Sequence, residues 1–138
     1  KNIKEEINKD GEGNPIFKDG QYPLFISENN NRDVCVSDAN ANTVVVVDKM
    51  GRYDGTQARR EKSFGPRGIV TDALSQILVT DINNDCLHIL DQNGQFLSCV
   101  DDCGLGKPVG LSVDSEGRLW VGSFKTGGIK VIEYLQNK

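Results

Sequence analysis

The sequence predicts an all-β fold, specifically part of a β-propeller. Three observations carry that prediction. A unit of about 43 residues recurs along the 138-residue chain. Each copy breaks into short apolar runs of strand length, and the breaks are turn-rich, with 15 glycines against 4 prolines and many Asn and Asp residues. A helical solenoid would need apolar residues at i, i+3 and i+4, and no copy shows that spacing.

Pro23, Ile26, Val36, Asp38, Asn40, Asp48 and Gly51 recur 43 positions later as Pro66, Ile69, Val79, Asp81, Asn83, Asp91 and Gly94. A third copy lies 42 positions on, where Pro108, Leu111, Asp114, Val121 and Val131 match Pro66, Ile69, Asp72, Val79 and Ile89. In chain order, residues 1–21 are not a full copy: KEEINKDGEG suggests the outer strand and turn of a preceding blade, followed by a linker into Pro23. Residues 22–64 are expected to form one blade, residues 65–106 a second, and residues 107–138 a third that lacks its outer strand. The middle copy is the clearest, with GIVTD (68–72), ILVTD (77–81), CLHILD (86–91) and QFLSCV (95–100) separated by ALSQ, INND and QNG. Four short antiparallel strands per repeat is the arithmetic of one propeller blade. The chain thus reads as the C-terminal part of a larger ring, with two apolar end faces through which the fragment is expected to self-associate.

Alternation along the third strand assigns faces. Leu87 and Ile89, with their counterparts Val44, Val46, Ile129 and Val131, are expected to meet a neighbouring blade. The residues between them, Val45, His88 and Lys130, are expected on a less buried face or near a rim. His88 therefore reads as a partly buried structural histidine rather than a ligand or a catalytic base.

A net charge of -4 gives no general attraction to nucleic acid or anionic membrane, although Arg59, Arg60, Lys62 and Arg67 form a local basic patch. No apolar run approaches the roughly 20 residues that cross a bilayer, and no signal-peptide core is present. The chain begins with Lys1 rather than Met, so a fragment or a processed product is expected. Cys35, Cys86, Cys99 and Cys103 contain no C-x-x-C, and with one histidine they do not suggest zinc. Free thiols, and hence a cytoplasmic setting, are expected; no metal or other cofactor is.

One stretch does imitate a metal loop. In DANANTVVVVDKMG, Asp38, Asn40 and Asn42 alternate like the first ligands of an EF-hand, and VVVV reads as the third strand that follows. The pattern then fails. Thr43 stands where the loop needs glycine, Lys49 where it needs glutamate, and the third copy places Lys125 among the would-be ligands. The stretch reads as a polar turn between strands.

The patterns P-x-G-I-x-x-D, I-L-V-T-D-x-x-N and H-I-L-D-x-x-G-x-F resemble NHL repeats, whose propellers commonly have six blades. ISENNNRDVCVSD, VVVVDKMGR, SFGPRGIVTD and HILDQNGQFLSCVDDCGLGKPVGLSVD are similar to the C-terminal region of tripartite-motif-like NHL proteins. The resemblance implies an interaction module for a protein partner or substrate, carried in a larger protein linked to ubiquitin ligation. Any ligase activity would reside in a RING domain absent from these residues. It also implies an alternative, a single-stranded RNA-binding regulator using the same face.

In meander order, the loop between the second and third strands shares a face with the loop between blades. That face gathers Asn40, Asn42, Arg67, Asn83, Asn84, Lys107, Phe124 and Lys125, the candidate partner-binding residues. Unpaired bases would want such amides, cations and aromatic planes, whereas protein recognition needs no basic patch. A third reading, a metal-dependent propeller hydrolase or lactonase, wants recurrent acids on the first strand. There Asn29 replaces Asp72 and Asp114, which are better read as turn-forming aspartates, and no catalytic residue is expected.

Overall fold

The computed structural model describes residues 2–134. Its strands form three antiparallel meanders. The first holds β1 (Leu24–Glu28), β2 (Val34–Asp38), β3 (Thr43–Val46) and β4 (Gly51–Tyr53). The second holds β5 (Pro66–Thr71), β6 (Ile77–Asp81), β7 (Cys86–Leu90) and β8 (Phe96–Val100). The third holds β9 (Pro108–Val113), β10 (Leu119–Ser123) and β11 (Ile129–Ile132). Within each sheet the strands pair in sequence order, and β5 lies against both β1 and β9. The blades therefore fan out from their first strands, as in a propeller.

Turn chemistry sets the strand ends. Asp72, Asp91 and Asp114 each use Oδ1 to accept two backbone amides of the turn that follows, those of Leu74 and Gln76, Asn93 and Gln95, and Glu116 and Arg118. Asx side chains close these hairpins as the strand reverses. Close approach decides two glycines. A Cβ on Gly68 would lie 2.1 Å from the Val109 carbonyl oxygen, so β5 and β9 can approach only with glycine there. One on Gly55, which has φ +87, would collide with Phe64.

Two cores separate the three sheets. Cys35, Val44, Val46 and Tyr53 of the first sheet close on Phe64, Ile69, Ile77, Val79 and Leu90. On the other side of the second sheet, Leu78, Leu87 and Ile89 close on Leu105, Leu119, Val121 and Ile132. Each fully buried Val, Leu or Ile contributes roughly 1.5–3 kcal/mol, so the middle sheet, packed on both faces, is the best stabilised.

The structure departs from the sequence reading in four places. Val45 and His88 are both 0% exposed, because the middle position of the third strand faces the preceding element and not a rim. Val45 is covered from the side of the leading segment, where Ile16 is buried and its carbonyl accepts Arg52 Nη2 at 2.8 Å. Strand β3 ends at Val46, and Val47 opens a 3-10 turn, Val47–Lys49, closed by Met50 in a left-handed conformation. Around the leading KEEINKDGEG there is a tight turn and an isolated bridge, Lys9 to Pro15, in place of a continuous strand. Ile129 and Val131 are 72% and 47% exposed, since no further sheet covers that side of β11 among the described residues.

Candidate interaction surface

The turns β2–β3, β6–β7 and β10–β11 lie on one face, each bonded to the loop that leads into its own sheet. In the first sheet, Asn40 Nδ2 donates to the Tyr22 carbonyl at 2.8 Å, while its Oδ1 accepts the Tyr22 amide at 3.1 Å. Asp38 Oδ2 accepts the Lys18 amide at 2.9 Å. The three residues that imitate a calcium loop thus turn to different partners. Asn42, exposed and left-handed at φ 54, sets its side-chain amide against the carbonyls of Ala39 and Phe64, each 3.1 Å away, and with two acceptors there the amide nitrogen is assigned to that side.

The second sheet repeats the device with more bonds. Asn83 Nδ2 donates to the Ser63 carbonyl at 3.0 Å, and Asn84 bonds both the amide and the carbonyl of Lys62. Buried Asp81 accepts from the amides of Gly65, Asn83 and Asn84 through Oδ1, and from Asn84 Nδ2 and His88 Nε2 through Oδ2. Burial would raise its carboxyl, but these donors, the imidazole foremost, hold it below the usual carboxylate range. His88 Nδ1 meets the Tyr53 hydroxyl at 2.6 Å, and the ring packs between Phe64 and Tyr53.

The third sheet is different. Lys125 stands where the other turns have Asn40 and Asn83, Phe124 where they have Ala39 and Ile82, and the amides of Phe124 and Lys125 donate to the carbonyls of Lys107 and Gly106. Their side chains are exposed, Phe124 to 75%, and Lys107 stands exposed beside them. Arg67 lies apart from this group, stacked over the Tyr22 ring at 4.5 Å between the first and second sheets.

The eight candidates therefore divide. Asn40, Asn42, Asn83 and Asn84 turn their amides to neighbouring backbone, whereas Phe124, Lys125 and Lys107 form one outward group and Arg67 another. Arg60 of the local basic patch is paired with Asp101 at 2.6 Å. Sequence reasoning missed Tyr22, the platform under Arg67, and it treated His88 as isolated. The structure sets Cys86, His88 and Cys99 together, with the two sulfurs 3.3 Å apart. Proton sharing with Cys99, together with burial, pushes the Cys86 thiol up, and the same contact draws Cys99 down. The i, i+2 spacing of Cys86 and His88 was readable; the position of Cys99 needs the β7–β8 register.

No protein-family model matches the chain. Over 127 residues it is 29% identical to Protein brain tumor of Drosophila melanogaster, a match that spans 86% of the chain and 12% of that relative. Among solved structures, a catalytically inactive virginiamycin B lyase from Staphylococcus aureus superposes with a TM-score of 0.59 at 16% identity, over 84% of this chain and 42% of that one. The extracellular domain of a one-component system from B. thetaiotaomicron superposes with a TM-score of 0.54 at 18% identity, over 82% and 18%. At those identities the two structures speak to fold alone. Sheet order and repeat make the chain a β-propeller segment, and its repeats resemble those of NHL proteins. No helix among the described residues is long and apolar enough to cross a membrane.

Proposed function

We propose that this segment is a non-catalytic recognition module that binds a protein partner through its loop face, within a larger tripartite-motif-like protein linked to ubiquitin ligation. The observation that carries the reading is the third-sheet turn, where Lys125 stands in place of Asn40 and Asn83, which fasten the other two turns, beside a 75% exposed Phe124. An aromatic anchor ringed by Lys107 and Lys125, with Arg67 on its platform further round, has the composition of an interface hot spot. The acidic overall balance favours a protein over a nucleic acid. A second reading, single-stranded RNA, draws on the same juxtaposition, since Phe124 offers a stacking plane and the lysines offer phosphate contacts.

The test is a pulldown with the parent protein, with and without RNase, against a charge-reversed Arg67→Glu, Lys125→Glu variant and against Phe124→Ala. Partners that survive RNase and are lost in both variants support protein recognition by this face. Loss of every partner after RNase moves the assignment to RNA. Partners retained in both variants remove this face from the interaction.

A further inference from the structure

We propose that Cys86, His88 and Cys99 form a binding site for a thiophilic divalent cation of the zinc type. Cys86 and His88 are two apart on β7 and so project from the same face. The register of β7 against β8 sets Cys99 directly opposite His88. One ligand atom from each of the three residues lies within 4.8 Å of the others. With zinc–sulfur bonds of about 2.3 Å, tetrahedral geometry separates two sulfurs by roughly 3.8 Å, so the observed 3.3 Å opens to a metal with a shift of a few tenths of an ångström.

The surroundings fit a cation better than a bare cluster of polar groups. Asp81 Oδ2 lies 2.8 Å from His88 Nε2, the carboxylate–imidazole arrangement that orients a metal-ligating histidine through its other nitrogen. At that other nitrogen the Tyr53 hydroxyl stands 2.6 Å away, and cation entry exchanges this hydrogen bond for coordination. Two thiolates neutralise the charge of a divalent ion beside Tyr53, Phe64 and Phe96. Cys99 is half-buried and gives the ion a way in, while Cys86 and His88 are fully buried. The set belongs to one blade. The positions matching Cys86 and His88 are Thr43 and Val45 in the first copy and Gly128 and Lys130 in the third, so blade architecture alone does not require it.

The test is titration of the reduced, chelator-treated chain with Co²⁺, followed by displacement with Zn²⁺. The expected result is a thiolate-to-cobalt charge-transfer absorption that saturates at one equivalent and is bleached by Zn²⁺. Cys99→Ser, at the more exposed ligand, should weaken binding by about 100-fold or more, and Cys103→Ser should leave it unchanged. A rise in melting temperature with Zn²⁺, present in the native chain and absent in a folded Cys99→Ser, is the second readout. No charge-transfer band, or a band that persists in Cys99→Ser or vanishes in Cys103→Ser, overturns the site. So does a Cys86–Cys99 disulfide in freshly isolated protein that, once reduced, takes up no metal.

Discussion

The turns of the first two sheets and the turn of the third occupy the same place on one scaffold, and they spend their residues differently. In the first two, an aspartate at the end of the second strand and the asparagines after it hold the incoming loop through side-chain bonds. In the third, Ser123 replaces the aspartate, Lys125 replaces Asn40 and Asn83, Phe124 stands where Ala39 and Ile82 do, and the loop is held by backbone bonds. A turn fastened through its backbone leaves its side chains free. The proposed recognition falls where fastening has been given up, and the comparison can be broken by measuring what each side chain holds.

The largest effect is expected at Asp81. It is 0% exposed and accepts from five donors, so Asp81→Ala leaves His88, Asn84 and several amides short of a partner. Breaking a buried pair of this kind costs about 3–5 kcal/mol. The matching change in the third sheet, Ser123→Ala, should stay within about 0.5 kcal/mol, since Ser123 Oγ finds no partner among the described residues. Urea unfolding of both variants is the measurement, and equal midpoints would sink the distinction.

A smaller effect separates the turns themselves. Asn84→Ala removes bonds to Lys62, Ser63 and Asp81 and should cost about 1–2 kcal/mol. Lys125→Ala, at an exposed side chain, should change stability by less than about 0.5 kcal/mol while weakening partner binding. If the lysine proves the more destabilising, the third turn is fastened through its side chains after all.

Much of this architecture is legible in the sequence. The repeat spaced Pro23, Pro66 and Pro108 and paired Asp38 with Asp81, which is enough to mark blades and turns. Alternation correctly assigned Leu87 and Ile89 to a neighbouring sheet, as their burial against Leu119 and Val121 shows. It failed at Val45 and His88 because a period of two distinguishes faces without saying what covers each one. A central blade has no open face, so its polar position had to find Tyr53 and Asp81. The division of the eight loop residues was hidden for a related reason. Asn40 and Phe124 both look like exposed turn residues in sequence, and only the bonds from Asn40 to Tyr22 show that its amide is occupied.

The difference between the turns is confined to one face, and acid should reveal it. On the opposite face the third sheet is fastened as firmly as the others. Asp114 accepts from Trp120 Nε1, from the Arg118 amide and guanidinium, and from the Glu116 amide. The indole and those donors hold its carboxyl well below the usual carboxylate range. A carboxylate whose folded pKa is depressed stabilises the fold above its unfolded value and loses that contribution as pH falls toward the folded one. The loss should begin near pH 4, the ordinary aspartate range, and deepen below it. Asp114→Asn removes the titrating charge while keeping the shape of the side chain. The unfolding midpoint of the native chain should therefore exceed that of Asp114→Asn at pH 7, and the gap should narrow as the pH is lowered through 3. A gap that stays constant with pH would mean that Asp114 acts through turn geometry alone, leaving its charge no part in fastening the third sheet.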